Sequence, residues 1–192
     1  MNIEGPLIPG VFIERPNRFI TKVLINDKVV KSHLPDPGRL KELLFEGANV
    51  LLRPAPKNSK RKTRYSTVMV NHKGQLISLV SALPNQFVFE SLKNNSVPMF
   101  KNFKLVKPEV VYGNHRFDFL LKDKNDKYFY LEVKSVTYVE KRLAKFPDAI
   151  TERGTKHAKT LMKLTHDGYG TGILFVCQRS DADRFKPMWE RD

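Results

Sequence analysis

The hydrophobic pattern changes period partway along the chain. Over residues 10–83 the apolar positions come in short runs, Val11-Phe12-Ile13, Phe19 to Ile25, Val29 to His33, Val50-Leu51-Leu52, Tyr65 to Val70 and Leu76 to Val80, separated by Gly, Pro, Asn and Asp. Short β-rich runs between turn residues predict strands. One helix is expected among them, over Arg39 to Phe45, after Pro37-Gly38 and stopped by Gly47. Several short strands with a single helix suit a small barrel of the OB type, one face of which commonly binds oligonucleotides.

After Leu83-Pro84-Asn85 the pattern lengthens. A helix is expected from Gln86 to about Asn94, with Phe87, Val88, Ser91 and Leu92 on its buried side. Then come Glu109 to Tyr112 and two apolar runs, 115–121 and 128–136, joined by the polar stretch Lys122 to Lys127. Two such runs around a polar turn predict a hairpin. Ile150, Gly154, His157 or Ala158, Leu161 and Leu164 recur at helical spacing to about residue 166, with Asp148 as the expected cap. Gly168, Gly170 and Gly172 lead into Ile173 to Cys177, an apolar run expected as a central strand. Strand, hairpin, helix and strand make an α/β layer. The expected organisation is a barrel domain over 1–83 and an α/β domain over 84–192.

Alternation places chemistry on the hairpin. Residues two apart in a strand share a face. Glu132 and Lys134 therefore point the same way, and Asp118 shares its face with Arg116 and Leu120, opposite Phe117, Phe119 and Leu121. Antiparallel pairing can set Asp118 beside Glu132 or Lys134, with Cβ atoms roughly 5 Å apart; the register itself is not fixed by the sequence. Two carboxylates and a lysine are what a divalent-metal phosphodiesterase needs. Mg2+ or Mn2+ takes oxygen ligands, one or two of them carboxylates, and a lysine can orient the attacking water and offset charge in the transition state. The plain alternative is a surface hairpin with an ordinary ion pair.

Charge changes the picture further. The chain of 192 residues carries 34 basic against 20 acidic side chains, a net charge of +14, with 41% apolar residues for a core. Such an excess speaks to partners rather than fold, and nucleic acid is the expected one, because lysine and arginine release counterions from a phosphate backbone. Lys57, Lys60, Arg61, Lys62 and Arg64 crowd one segment marked as a loop by Pro54, Pro56, Asn58 and Ser59, which suits phosphate contact rather than base reading. Arg15, Arg18 and His33 extend this surface. Phe19 reads as core, with base stacking as the alternative. Arg153 and His157, four apart on one helix face, are candidates for holding a phosphate near the metal, and Lys156, Lys159 and Lys163 form a basic stripe. The single cysteine, Cys177, excludes an intramolecular disulfide and a cysteine-based zinc site and is expected as a small core residue. No apolar run approaches the about 18 residues of a membrane helix, so no membrane is expected and the cytoplasm is the expected compartment.

Longer motifs carry a family resemblance. Tyr112-Gly113-Asn114-His115-Arg116-Phe117-Asp118-Phe119, Glu132 to Thr137, Phe146-Pro147-Asp148-Ala149 and Arg153-Gly154-Thr155-Lys156-His157 resemble the sugar fermentation stimulation protein A family. So do Arg15-Pro16-Asn17-Arg18-Phe19, His33 to Leu40, Arg61-Lys62-Thr63 and Leu83-Pro84-Asn85, in the family's order. The resemblance implies an OB-like β-barrel domain followed by a PD-(D/E)XK nuclease-like α/β domain. It implies DNA binding with little sequence specificity and a regulatory link to sugar (maltose) metabolism. By the same resemblance Asp118, Glu132 and the Val133 carbonyl would hold the metal, Lys134 would assist the water, and Glu90, from the first helix of the second domain, would join the catalytic set. The expected function is a divalent-metal-dependent DNA phosphodiesterase, with a non-catalytic DNA-binding regulator as the alternative; a homodimer is left open. His115 stands where the family usually has a small residue, and the family usually continues a few dozen residues past Trp189-Glu190-Arg191-Asp192.

Overall fold

The structure, a computed structural model, describes residue 3 and residues 5–191. In chain order its elements are β1 (Ile8–Asn17), β2 (Ile20–Ile25), β3 (Lys28–His33), β4 (Asn49–Pro54), β5 (Tyr65–His72), β6 (Gln75–Ser78), α1 (Leu83–Lys93), β7 (Lys104–Tyr112), β8 (His115–Lys122), β9 (Tyr128–Val136), β10 (Val139–Glu140), β11 (Leu143–Phe146), α2 (Glu152–His166), β12 (Gly170–Cys177) and β13 (Arg184–Pro187). They fall into two compact units. The first takes the chain to Ala82 with Thr137–Ala149 and Cys177–Pro187; the second takes Leu83–Val136, Ile150–Val176 and the chain from Met188 on.

In the first unit one sheet runs β3-β2-β1-β4-β5-β6, and a further parallel pairing of β3 with β5 (Ser32 with Tyr65, His33 with Ser66) closes it into a barrel. The expected strands are all present. Along β2, Thr21, Val23 and Ile25 are buried in strict alternation, the period-2 pattern of a sheet with one face inward. Asn26 and Asp27, at φ 44° and 59°, make the tight β2–β3 turn; such turns need positive φ, which Asn and Asp tolerate. Phe12, Val23, Val50, Leu52, Val70 and Ile77 fill the interior. Gly10 lies so close to it that a Cβ would sit 2.6 Å from Val23 Cγ1. The small sheet β10-β11-β13 belongs to the same unit, with β11 and β13 parallel.

The helix expected over Arg39 to Phe45 is absent. Leu40 adopts φ 51°, which an α-helix cannot contain. A single turn forms instead, with Leu43 N and Leu44 N both donating to Leu40 O, at 3.0 and 2.8 Å. Leu40, Leu43 and Leu44 are buried in the barrel core, so tertiary packing of three leucines overrides local helix preference. Phe19, expected in the core, is 50% exposed in the turn between β1 and β2.

The second unit is the expected α/β layer. Its sheet runs β12-β9-β8-β7. Helix α1 packs Val88 and Leu92 against Phe119, Leu121, Leu131 and Val133. Helix α2 packs Leu161 and Leu164 against Val110, Phe117 and Tyr130. Tyr130 and Leu131 are neighbours on β9 and point to opposite faces, so the two helices cover opposite faces of the sheet. The second unit departs from five expectations. Phe87 is 47% exposed, and the buried side of α1 is Pro84, Val88, Ser91 and Leu92. Strand β12 lies at the sheet edge among the described residues rather than at its centre, and Cys177 at its end is exposed. The cap of α2 is Thr151, whose side chain accepts from Gly154 N at 3.1 Å, while Asp148 accepts from Arg39 N. Phe117 parts from Phe119 and Leu121: its ring packs against Tyr130 and His157, whereas Phe119 stacks on Phe89 of α1. Strict alternation therefore fails at Asp118.

Candidate functional site

The hairpin β8–β9 pairs Phe119 with Leu131, Leu120 with Tyr130, Leu121 with Phe129 and Lys122 with Tyr128. Asp123 Oδ1 closes its turn by accepting from Asn125 N at 2.8 Å and Lys127 N at 2.9 Å. On the other side of β8 the register sets Pro108 opposite Phe119 and Val110 opposite Phe117, with Glu109 between them at φ 51°. Asp118 sits at this irregular point. Its Oδ2 accepts from Val133 N at 2.7 Å, in place of a backbone acceptor, and its Oδ1 accepts from Asn85 Nδ2 of α1 at 2.5 Å. Burial raises the Asp118 carboxyl above the ordinary carboxylate range, and the charge of Glu132 raises it further; the bonds from Val133 N and Asn85 and the charge of Lys134 oppose both.

Glu132 is only 4% exposed. Its Oε1 accepts from Lys134 Nζ at 2.5 Å and from His157 Nδ1 of α2 at 2.7 Å. Its Oε2 is buried with no hydrogen-bond partner. An orphaned buried carboxylate oxygen is costly, and its presence calls for a cation or donor. His115 stacks on Phe117 and meets His157 edge-to-face, ring centres 5.5 Å apart. Asp118, Glu132, Lys134 and His157 are thus brought together around β8, β9 and α2, with the backbone of Val133 at their centre. Glu90 is not brought in: it is exposed on α1, and Asn85 is the side chain of that helix that reaches Asp118. The sequence carried one signal for Asn85, its place in Leu83-Pro84-Asn85, where it read only as a helix opener. Among the described residues no group of three or more His, Cys, Asp or Glu side chains is gathered to hold a metal.

The basic candidates divide. Lys57, Lys60, Lys62 and Arg64 are exposed on the β4–β5 loop, whose base is closed by Ala55 N donating to Arg64 O at 2.7 Å. Arg61 folds back, donating to Ser66 Oγ at 3.0 Å and Tyr65 O at 3.4 Å. Burial, and then the charge of Arg61, lower the pKa of His33, whose Nδ1 is buried without a partner. Arg15 is committed inside the first unit: its guanidinium donates to the carbonyls of Gly38, Arg39, Arg18 and Asp36. Arg18 is exposed, and so is Arg153 one turn before His157 on α2. Among the described residues no helix is long and apolar enough to cross a membrane.

Comparison with known proteins matches both halves of the chain. Residues 82–192 match the family model described as the sugar fermentation stimulation protein RE domain, and residues 13–79 match the SfsA N-terminal OB domain. A sugar fermentation stimulation protein homolog from Clostridium botulinum (strain Langeland) is 41% identical over 192 residues, covering 100% of this chain and 83% of the relative. One from Clostridium novyi (strain NT) is 43% identical over 186 residues, 97% of this chain and 81% of that one. Among solved structures, that of Pyrococcus furiosus SfsA in complex with Ca2+ superimposes with a TM-score of 0.87 at 27% identity, covering 98% of this chain and 80% of that one.

Proposed function

The chain belongs to the sugar fermentation stimulation protein family, and from that premise we propose that it binds DNA with little sequence preference and carries a divalent-metal phosphodiesterase site on its second unit. The observation that carries this reading is Glu132 Oε2, buried and unpartnered beside Asp118. Mg2+ or Mn2+ accepts one or two carboxylates and keeps waters and phosphate oxygens for the rest, so the donors present fit such an ion. Asp118, Glu132 and the Val133 carbonyl would hold it; the Ca2+ bound by the Pyrococcus furiosus relative supports a hard cation in this family. When bound, the ion supplies Lewis acidity toward a phosphoryl oxygen and acidifies its water.

The chain's own residues do the remaining work. His157 holds Glu132 from α2 and fixes its Oε1. Lys134, tied to the same oxygen, is the group able to orient a water and to offset charge on a pentavalent phosphorus. Lys57, Lys60, Lys62 and Arg64 supply phosphate contacts that position DNA without reading it, and Arg153 adds a cation one turn from His157. Arg15 serves the fold rather than the ligand, since both its terminal nitrogens are already spent on four carbonyls and its Nε is buried.

The non-catalytic reading has its own support in the absence of a three-group ligand set among the described residues. Cleavage of plasmid and oligonucleotide DNA by pure protein in Mg2+ or Mn2+ separates the two. Metal-dependent cleavage lost in both Asp118→Ala and Lys134→Ala is the expected result, with a drop of at least about a hundredfold, the scale of losing one electrostatic contributor. Cleavage that survives either substitution removes the site from the chemistry. Wild-type binding that persists in EDTA with no turnover in any metal selects the regulator.

A further inference from the structure

The helix side chain at the Asp118–Glu132 pair is an amide, not an acid. Asn85 Nδ2 donates to Asp118 Oδ1, while Glu90 lies exposed elsewhere on α1. Two carboxyl side chains and one lysine leave the cluster a nominal side-chain charge of only −1. Its free oxygens are as scarce as its charge. Both Asp118 oxygens already accept a hydrogen bond, and Glu132 Oε1 accepts two. Glu132 Oε2 is the uncommitted carboxylate oxygen of the four. A hard dication surrounds itself with about six oxygens and gains affinity with the count of charged ligands. Here the protein offers little of either, and the phosphates of a nucleic acid offer both.

Resting on the metal site proposed above, we propose that Asn85 makes cation binding conditional on a phosphodiester: metal and DNA are bound cooperatively, because the α1 side chain that meets Asp118 is a neutral amide and brings no third carboxylate. Asn85 is a positioning residue in this arrangement. It holds Asp118 without adding charge. By linkage, the factor by which DNA tightens the cation is the factor by which the cation tightens DNA.

The test is calorimetric titration of Ca2+ into the full chain, alone and with a saturating short duplex. Wild type is expected to bind Ca2+ at least tenfold more tightly with the duplex, about 1.4 kcal/mol of coupling. Asn85→Asp adds a carboxylate of the same shape, and its DNA-free affinity is expected to rise at least tenfold while the coupling shrinks. Asn85→Ala removes the bond and adds no charge, so its DNA-free affinity does not rise; a merely structural Asn85 would make the two variants alike. Lys134→Gln lowers the cluster charge without touching Asn85 and is expected to raise DNA-free affinity too, which keeps the test decisive if Asn85→Asp does not fold. Equal Ca2+ affinity with and without duplex in wild type overturns the inference and leaves the metal site standing. So does unchanged DNA-free affinity in the folded charge variants. Ca2+ binding that survives Asp118→Ala overturns the metal site, and the inference with it.

Discussion

Asp36 is buried in the turn that follows β3, and its carboxyl is held above the ordinary carboxylate range. Burial is the main cause; the Gly38 amide opposes it, Asp148 adds to it and Arg15 opposes it again. An acid whose folded pKa exceeds its unfolded one binds more protons in the folded state, so its contribution is present at low pH and is lost as pH rises through the folded value. Asp36→Asn keeps an oxygen for Gly38 N, which donates to Asp36 Oδ1 at 2.8 Å, and removes the ionisation. The variant is expected to be more stable than wild type at neutral pH, with the gap closing as pH falls below the ordinary carboxylate range. Urea unfolding of both proteins at the two pH extremes checks this; a wild type that is the more stable at neutral pH would mean that Arg15 outweighs the burial of Asp36. Asp118 shares this raised carboxyl but faces an uncommitted acceptor on Glu132, and that difference separates a buried acid of the fold from a candidate ligand.

At the scale of elements, the same local rules succeed or fail according to what packs against them. The strands of the barrel were legible because each needs only a period of 2 and a turn, as in Thr21, Val23 and Ile25 before Asn26-Asp27. The β8–β9 hairpin was legible for the same reason, and its apolar-to-polar rhythm brought Asp118, Glu132 and Lys134 into view. Residues 39–45 have helical spacing too, but Leu40, Leu43 and Leu44 meet the barrel core from a turn, and no local rule reports a long-range core. Acidity is visible in sequence and helix rotation is not, so Glu90 reads as the site residue of α1 although Asn85 is the side chain that meets Asp118. The cap of α2 shows the limit at a single position. Asp148 and Thr151 are both good capping residues, but α2 starts at Glu152, directly after Thr151, and Asp148 accepts from Arg39 N instead; Gly154 leaves room for the cap, since a Cβ there would lie 2.7 Å from Thr151 Cγ2. Thr151→Ala is expected to cost about 1 kcal/mol of stability, with Thr151→Ser recovering most of it in urea midpoints. His157 rides on the same helix, so a frayed first turn should also weaken cation binding at Glu132 more in the alanine variant than in the serine one.

For the molecule as a whole, a net charge of +14 sets an expectation about salt rather than about sequence. Each phosphate neutralised on duplex DNA steepens the fall of log K with log[salt] by about 0.9. Lys57, Lys60 and Lys62 are exposed on a loop closed at its base, free to meet a phosphate, whereas Arg61 is partly engaged with Ser66 and Arg15 through both terminal nitrogens with carbonyls. Neutralising the three lysines to Gln should therefore flatten the salt slope by up to about 2.7 and weaken binding alike for every sequence tested. Arg15→Gln should do the opposite: leave the slope nearly intact and lower the unfolding midpoint, because it strips donors from the half-buried carbonyls of Gly38 and Asp36. A triple variant with an unchanged slope would move the DNA surface away from this loop, and the next cations to neutralise would be Arg153, Lys156, Lys159 and Lys163 on the outer side of α2. The slope measured with and without divalent cation adds one more discrimination. If the cation joins DNA at Asp118 and Glu132, its presence raises affinity without steepening the slope, since the new bond to phosphate is made by a metal held in the protein rather than by another lysine.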